Sequence, residues 1–506
     1  MTGALPIQLW KELRALLPWW AALVPTVAIL GAAGQMQGIS REGEMRFLLA
    51  AGFVYVAGAA ALGALSFGHD YGHRTLGSLL ALPVSRKRLL SLKAAVLLPL
   101  LGLMGLVAVF TVGLQHSLVA RYGVFNQPEY QLMILGPMLA GALLAPWLTI
   151  IARGPLAGAV FSVAIPVLIW MICNSFLLGT DVVWRATLAL SAVGGVMTVR
   201  TFLRQESIDG PHAELARVGW LRRSEGVVAD AGTQPAGWLG VALWKELRLQ
   251  QMTFVVAGLF VAAWAAILFA RWANPANEYL GPSLYAVSSL YLGVVGIMAG
   301  ALPAAEERHF GTADWQLLMP VAAWKQWALK CAVAIGLAMI LTLGLPALLN
   351  RLLPAPDVQF YWQMVLAVLY FSVTGLYLSS ISPTGLRAIL GTAPALAAIT
   401  VTGAALFQPI GGAARALAWS VAIDWVRPGS ITRQTAMVTG NALFALCAAG
   451  LSLLVLTLAF HNHRSADRSR GRIVRQVALV LTTAAVATLM LTVVGMFMVA
   501  GVTTAR

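Results

Sequence analysis

Long apolar runs separated by charged segments are the dominant feature of this sequence. Thirteen runs are about as long as the roughly 20 residues that a helix needs to cross a bilayer. They lie at about 17–33, 47–67, 94–114, 131–151, 156–179, 186–203, 251–270, 281–303, 331–349, 360–382, 388–408, 438–460 and 474–500. Hydrophobic residues make up 59% of the 506 residues and charged residues only 10%, against roughly 25% charged in an ordinary soluble chain. The sequence therefore excludes a water-soluble globular enzyme and predicts an all-α polytopic membrane protein with about 12–13 transmembrane helices.

The basic residues predict which way the chain runs through the membrane. If the N-terminus is cytoplasmic and the runs alternate in direction, 24 of the 34 lysines and arginines lie inside and 10 outside. Because an excess of Lys and Arg marks cytoplasmic segments, we expect a cytoplasmic N-terminus. The net charge of +15 then follows from topology and from attraction to anionic lipid. We expect membrane lipids as partners and no nucleic acid.

Two short motifs occur twice in the same order. Leu9–Arg14 (LWKELR) recurs unchanged as Leu243–Arg248. The stretch from Leu79 to Lys93 resembles the stretch from Gln316 to Lys330, and the two motifs are displaced along the chain by nearly the same offset. Six apolar runs separate the copies, so both copies begin on the same side of the membrane. This predicts two parallel six-span repeats within one chain.

The repeat divides the chain into four predicted parts. Residues 1–203 and 241–460 form the two six-span halves, and 204–240 form a cytoplasmic linker between them. Residues 461–506 add a basic cytoplasmic loop and a C-terminal span that has no partner in the first half. The outer stretch 409–437 is also unmatched and suits either a short amphipathic or re-entrant element or an ordinary loop.

The repeated LWKELR motif precedes the first span of each half. In the first copy the apolar residues Ile7, Trp10, Leu13 and Leu17 recur at helical spacing. This predicts an amphipathic helix at the membrane interface, with the tryptophans at headgroup depth and the charged residues facing away from the apolar stripe. The alternative is the polar start of a spanning helix. The predicted interfacial residues are Trp10, Lys11, Glu12, Arg14, Trp244, Lys245, Glu246 and Arg248.

The segment after the second span of each half has an apolar stripe that the membrane core does not need. Leucines at 76, 79 and 80 lie about one turn apart, and Leu82 is placed more loosely. Pro83 then ends the predicted helix, and Ser85 can cap the next one. A stripe exposed at the cytoplasmic surface predicts a protein partner or a packing surface. The second copy has the same form from Gly311 to Val321.

This pattern resembles the coupling region of type-2 ABC transporter permeases (the ABC-2 type). The resembling elements are Arg74-Thr75-Leu76 through Leu82-Pro83-Val84-Ser85-Arg86, and Glu306-Glu307-Arg308-His309-Phe310-Gly311-Thr312 through Pro320-Val321. The first copy departs from the pattern at Arg74, where the motif has glycine. The second copy lacks the basic triplet and reads Ala323-Trp324-Lys325. The two loops are therefore expected to be inequivalent.

The resemblance implies two permease units fused in one chain, acting as a single-chain pseudo-dimer in the inner membrane of a prokaryote. It implies an exporter whose loops contact a separate cytoplasmic ABC ATPase, a dimer that carries the ATP and Mg. The implied ATPase-coupling residues are Arg74, Thr75, Leu76, Leu79, Leu80, Leu82, Pro83, Val84, Ser85, Arg86, Gly311, Thr312, Asp314, Trp315, Leu317, Leu318, Pro320 and Val321.

Motifs of catalysis and cofactor binding are missing. The sequence contains no Gly-Lys dipeptide, so it has no GxxxxGK[ST] phosphate loop, and it contains neither GxSxG nor HExxH. His69, Asp70 and His73 have a spacing that could hold a metal. Polar residues at a membrane edge are the favoured interpretation, because Glu306-Glu307 stand at the matching place. We predict no catalytic residue, no metal and no cofactor in this chain.

Two other functions stay open. An ion-coupled secondary transporter with parallel repeats needs an ionisable residue in the middle of the membrane, and the sequence suggests none. A membrane assembly or anchor protein without transport is the other alternative. Asn174, in the fifth run, is the strongest polar feature within a predicted span and either contacts substrate or bonds a neighbouring helix.

Overall fold

The computed structural model describes residues 4–34, 41–72, 75, 84–113, 128–175, 178–204, 238–273, 280–312, 321–352, 362–407, 433–465 and 469–502. The elements in these ranges are helices, and no strand occurs among them. The predicted all-α membrane fold is confirmed.

The described helices before residue 205 include every predicted span of the first half. They are α1 (Ala4–Gly34), α2 (Arg41–Gly72), α3 (Arg86–Ala108), α4 (Pro128–Leu139), α5 (Ala145–Ala152), α6 (Pro155–Ser175) and α7 (Thr180–Arg204). Two π-helical turns extend spans: Val109–Gly113 continues α3, and Ala140–Leu144 joins α4 to α5.

The described helices after residue 237 include the remaining spans. They are α8 (Trp238–Leu249), α9 (Gln251–Ala273), α10 (Leu280–Ala301), α11 (Pro303–Phe310), α12 (Ala323–Met339), α13 (Leu345–Leu352), α14 (Trp362–Ile381), α15 (Gly385–Phe407), α16 (Arg433–Arg464) and α17 (Arg470–Val502). A π-helical turn, Ile340–Gly344, joins α12 to α13.

All thirteen predicted runs lie largely in helices. Within the described ranges, eleven helical segments are long and apolar enough to cross a membrane. A twelfth candidate is broken: Val287–Ala301 and Pro303–Phe310 meet at a bend of 50°. Pro303 stands at the start of α11, where its missing N–H removes a helical hydrogen bond. The described apolar part of α15, Gly385–Ile399, is shorter than a span.

The second and fourth spans of the first half cross with their backbones in contact. A methyl group added at Gly63 of α2 would lie 1.8 Å from the carbonyl oxygen of Gly141. The same contact occurs later in the chain, where a methyl group at Gly300 of α10 would lie 2.1 Å from the carbonyl oxygen of Ser372 in α14. Gly375 approaches α10 at the same crossing. Small residues that let helix backbones touch are typical of packing within membranes.

The two predicted halves share packed cores. Leu386 and Leu390 of α15 belong to the same buried cluster as Leu16 and Leu23 of α1. Across the same interface, Met171 of α6 packs with buried residues of α9 and α10. The C-terminal helices α16 and α17 join a third cluster with α12 and α14. The repeat of complete six-span units stays a prediction.

Several predicted segment boundaries can be compared with the ends of the described helices. The predicted linker 204–240 overlaps the end of α7 at Arg204 and the start of α8 at 238–240, and its residues 205–237 fall outside the described ranges. The helix α16 continues to Arg464, so the basic loop after it is shorter than predicted. Of the outer stretch 409–437, residues 409–432 lie outside the description.

Candidate functional site: two buried ion clusters at the bases of two loops

The side chain of Lys93 ends among acceptors from two other helices. It lies near the start of α3 and is only 2% exposed. Its ammonium donates to Oε1 of Glu12 in α1 at 2.9 Å, to Oδ2 of Asp70 in α2 at 2.6 Å and to the carbonyl of Ser66 at 2.7 Å. Lys11 donates to the other oxygen of Asp70 at 2.8 Å. Lys11, Glu12, Asp70 and Lys93 form what we call the first ion cluster.

A second ion cluster consists of Lys245, Glu246, Glu307 and Lys330. Lys330, in α12, is fully buried. Its ammonium donates to Oε1 of Glu246 in α8 at 2.6 Å and to Oε1 of Glu307 in α11 at 2.5 Å. Lys245 also donates to Glu307. As in the first ion cluster, a buried lysine joins two carboxylates that belong to two other helices.

The two ion clusters match in composition and order along the chain. The Lys-Glu pair, the second acid and the buried lysine of the first cluster all recur in the second half, in the same order and at nearly the same offset. Each cluster has two lysines and two carboxylates, and in each the outer lysine is about one third exposed, 36% and 34%. Each cluster is therefore balanced in charge within itself.

Burial of these charges requires their pairing. Taking one ion out of water costs several kcal/mol, and the mutual attraction repays this only with good geometry and satisfied hydrogen bonds. An ammonium has three donors, and Lys93 uses them on Glu12, Asp70 and Ser66. Because no helix can move away from the cluster without leaving a buried charge unpaired, the three helices are held together at this point.

Each ion cluster lies at the base of one predicted coupling loop. The amide of Thr75 donates to the carbonyl of Asp70 at 3.0 Å and its hydroxyl to Oδ1 of Asp70 at 3.1 Å. In the second half, the amide and hydroxyl of Thr312 both donate to the carbonyl of Glu307, at 2.9 and 3.2 Å. Each loop thus begins just after one carboxylate residue of its cluster, Asp70 or Glu307. It leads into the helix that carries the buried lysine.

The segments around the two loops have further ties, and these differ. The guanidinium of Arg86 donates to the carbonyl of Leu203 at 2.7 Å, so the return of the first loop contacts the end of α7, where the linker begins. The guanidinium of Arg308 donates to the carbonyl of Ser382 at 2.7 Å. The helix α11, from which the second loop leaves, therefore contacts the turn between α14 and α15.

The start and end of the loops agree only in part with the predicted caps. Ser85 occupies the position before α3 with extended backbone, and its carbonyl accepts from the amide of Leu89 at 3.1 Å. Its hydroxyl makes no capping bond, so the predicted side-chain cap is wrong. Gly311 ends α11 with a φ of 72°, in the left-handed region that favours glycine.

Part of the predicted coupling surface is described. The described coupling residues are Thr75, Val84, Ser85, Arg86, Gly311, Thr312 and Val321. The others lie outside the described residues: Arg74, Leu76, Leu79, Leu80, Leu82, Pro83, Asp314, Trp315, Leu317, Leu318 and Pro320. The loop helix and its apolar stripe therefore stay predictions.

The predicted interfacial residues divide into two groups. Trp10 and Trp244 are 60% and 59% exposed, and Arg14 and Arg248 lie at least partly exposed as well. These four side chains lie on the outside of the bundle. In the first copy the motif is continuous with the spanning helix, because α1 runs unbroken from Ala4 to Gly34.

The acidic residues of the same motif face the interior of the bundle. Glu12 and Glu246 are only 7% and 2% exposed, whereas Ile7, Trp10 and Leu17 of the apolar stripe are exposed, so Glu12 lies away from the stripe as predicted but is buried in the protein. They turn inward because each pairs with a buried lysine. Lys11 and Lys245 turn toward the same clusters.

The other polar residues predicted as candidates, His69, His73 and Asn174, give less support for a functional site. Nδ1 of His69 lies 3.8 Å from Oδ1 of Asp70, and no group of three metal-ligating side chains occurs among the described residues. His73 lies outside them. Asn174 is the second-last residue of α6 and therefore lies at a helix end, away from the middle of a span.

The second ion cluster differs from the first in its hydrogen bonding. Oε2 of Glu246 is buried and has no hydrogen-bond partner among the described residues. Burial raises the pKa of this carboxyl, and the charge of Lys330 opposes the rise without cancelling it. The ring of His463, near the end of α16, lies 5.3 Å from the ring of Trp327, with the two planes tilted by 33°. The bases of the two loops are therefore similar in composition and different in hydrogen bonding.

Sequence reasoning found the members of both ion clusters separately and missed their convergence. A signal was present, since both charged motifs recur at nearly the same offset and each borders an apolar run.

Comparisons with protein-family models, with curated proteins and with solved structures found no match.

Proposed function

We propose that this chain is the membrane-spanning permease of an ATP-binding-cassette exporter of the type-2 class. A separate cytoplasmic ATPase dimer binds the loops that leave from Thr75 and Thr312, and its ATP-dependent closure moves the two halves against each other. The chain acts in the inner membrane of a prokaryote, with its N-terminus in the cytoplasm, and its two halves form a pseudo-dimer. ATP and Mg are bound by the partner.

The position of the two ion clusters is the single observation that supports this proposal most. A force on the first loop reaches Asp70 and Lys93 at once, because the loop joins α2 to α3 directly beside them. The hydrogen bond from Lys93 to Glu12 transmits this force to α1. A ligand or partner shifts a conformational equilibrium only through contacts that differ between the states. Because buried ion pairs join the base of the loop to three helices, a movement of the loop changes the positions of helices within the membrane.

The interface between the two halves is where the proposed movement would occur. The two halves meet along α1, α2 and α6 on one side and α9, α10 and α15 on the other. The first ion cluster joins two of these helices, α1 and α2, and Arg308 of α11 contacts Ser382, just before α15. Tilting the halves about this interface would open a path between them.

The experiment captures the ATPase with the tagged full-length protein from membranes of its native host. Leu79→Asp and Leu317→Asp, separately and together, place a charge in the predicted apolar stripe of each loop. We expect the double variant to insert normally and to lose at least about 90% of the captured ATPase, because a buried unpaired carboxylate is costly in an interface. Leu79→Met and Leu317→Met, which preserve volume and hydrophobicity, are the matched controls. Undiminished capture by the double Asp variant would show that these loops do not bind the ATPase.

One observation favours a second function, an ion-coupled transporter. The unpartnered buried oxygen of Glu246, in α8 just before the span that begins at Gln251, is a group of the kind that takes up a proton or a cation, although it is not in the middle of a span. Proton or sodium uptake by ATP-free proteoliposomes, lost in Glu246→Gln, would support this function. Uptake equal to that of protein-free liposomes would remove it.

A further inference from the structure

A cavity lies between the two halves. Its volume is about 200 Å³, and its lining comes from α1, α2 and α6 of the first half and from α9, α10 and α15 of the second. These helices are the ones through which the halves contact each other. The cavity is therefore at the interface that the proposed function requires to move.

The lining offers almost nothing to a polar ligand. Every side chain that lines the cavity is apolar except that of Tyr291. The Tyr291 hydroxyl already donates to the carbonyl of Leu341 at 3.0 Å, and the ring stacks on Phe260 at 3.8 Å. A sugar, a peptide backbone or an ion placed here would lose its hydrogen bonds to water without replacement.

The cavity is long for its volume. On α6 its lining extends from Leu156 to Met171, which at 1.5 Å per residue is about 22 Å of helix. Pockets for compact drug-sized ligands have volumes of roughly 300–1,000 Å³, more than this cavity. A small volume spread along most of a span suits one flexible chain better than a rigid ring system.

We propose that this cavity binds the hydrocarbon chain of an amphiphile, with the polar headgroup outside it. As an assignment of cargo class this rests on the proposed function, but the binding itself does not require an ATPase. Burial contributes roughly 0.8 kcal/mol per CH₂ group. This gain applies to a chain that leaves water, and a chain that enters the cavity from the bilayer does not obtain it. Specificity therefore comes from the fit of a single chain to the cavity.

Photolabelling of the full-length protein in lipid nanodiscs tests the proposal. The probes are stearic acid and phosphatidylglycerol, each with a diazirine at the same chain position, and a diazirine-bearing glucose without a chain. We expect the chain-bearing probes to label residues 156–171 and 287–298 at least about tenfold more than lipid-facing positions of the same helices, a preference of roughly 1.4 kcal/mol. The preferred probe distinguishes a single-chain amphiphile from a bilayer phospholipid as the source of the chain.

Two variants and one control make the result specific. Ala164→Trp fills the cavity from α6, and Leu290→Gln puts an amide into it from α10 without much added bulk; both residues line it. Ala262→Trp on α9 adds the same ring at an exposed position outside the lining. We expect labelling of the lining to fall about tenfold in the first two and to persist in the third.

Three results would overturn the assignment. They are labelling no stronger in the lining than at lipid-facing positions, labelling unchanged in both lining variants, and equal labelling by the glucose probe. ATPase capture separates this proposal from the proposed function. If the ATPase is captured and the lining is not labelled, the exporter stands and the cargo class is wrong. If the lining is labelled and no ATPase is captured, the cavity binds a hydrocarbon chain, but the exporter is wrong and the chain is not its cargo.

Discussion

Lys93 and Lys330 are distant in the chain, and each places a buried ammonium group between two carboxylates of two other helices. Neither lysine is at a surface where water could solvate its charge, with exposures of 2% and 0%. Each is therefore as much a part of the core as the apolar residues around it.

Replacing either lysine should destabilise the protein strongly. Lys93→Met or Lys330→Met keeps the aliphatic stem and leaves the cluster with two buried carboxylates and only its outer, partly exposed lysine. Removal of one partner of a buried ion pair costs about 3–5 kcal/mol, so we expect a clear drop in Tm in detergent. Lys87→Met, at an exposed position on the same helix as Lys93, should change stability by less than about 0.5 kcal/mol. An equal effect of all three substitutions would contradict the described burial.

The pairing of Lys93 with Asp70 should appear as coupling in a double-mutant cycle. We expect Lys93→Met and Asp70→Asn each to be destabilising, and the double variant to be less destabilised than their sum by about 0.5–3 kcal/mol. The double variant removes one charge of each sign, so less charge is left unpaired. The measurement is the free energy of unfolding in detergent. Additive effects would show that the two side chains do not interact.

The glycine crossings should not accept a side chain. Gly63→Ala and Gly300→Ala each place a methyl group inside the van der Waals distance of a backbone carbonyl of the partner helix. Backbone cannot rotate away as a side chain can, so we expect a loss of at least about 1–3 kcal/mol. Gly102→Ala in α3 has nothing within 4 Å of the added methyl, and there helix propensity favours alanine by roughly 1 kcal/mol. Thermal unfolding of the three variants should place Gly102→Ala at or above the unsubstituted protein.

Gly311 should control the direction in which the second loop leaves α11. Its φ of 72° disfavours any side chain, and Gly311→Ala should cost about 1–2 kcal/mol or shift the loop. On the proposed function, ATPase capture should fall, because a loop that leaves α11 in another direction no longer meets the ATPase; the added methyl itself contacts nothing within 4 Å. Gly336→Ala, in the interior of α12 and equally unobstructed, is the control. Unchanged capture by Gly311→Ala would separate this glycine from partner binding.

The sequence was sufficient for the spans because span formation is a local property. Each of the thirteen apolar runs lies largely in helix, since hydrocarbon forces a chain to satisfy its backbone hydrogen bonds within one segment. The break at Pro303 was not predicted. A proline inside an apolar run leaves the hydropathy of the run high, and its effect on direction depends on what packs around it.

The sequence by itself also determined which charged residues recur, including the two lysines near the start of the third span of each half. Only the tertiary structure decided that Glu12 and Glu246 turn inward to meet them. A charged residue at the end of an apolar run is compatible with water, with the headgroups or with a buried partner. Which of these it has depends on whether helices that are distant in the chain bring an opposite charge within hydrogen-bonding distance, and no local pattern encodes that.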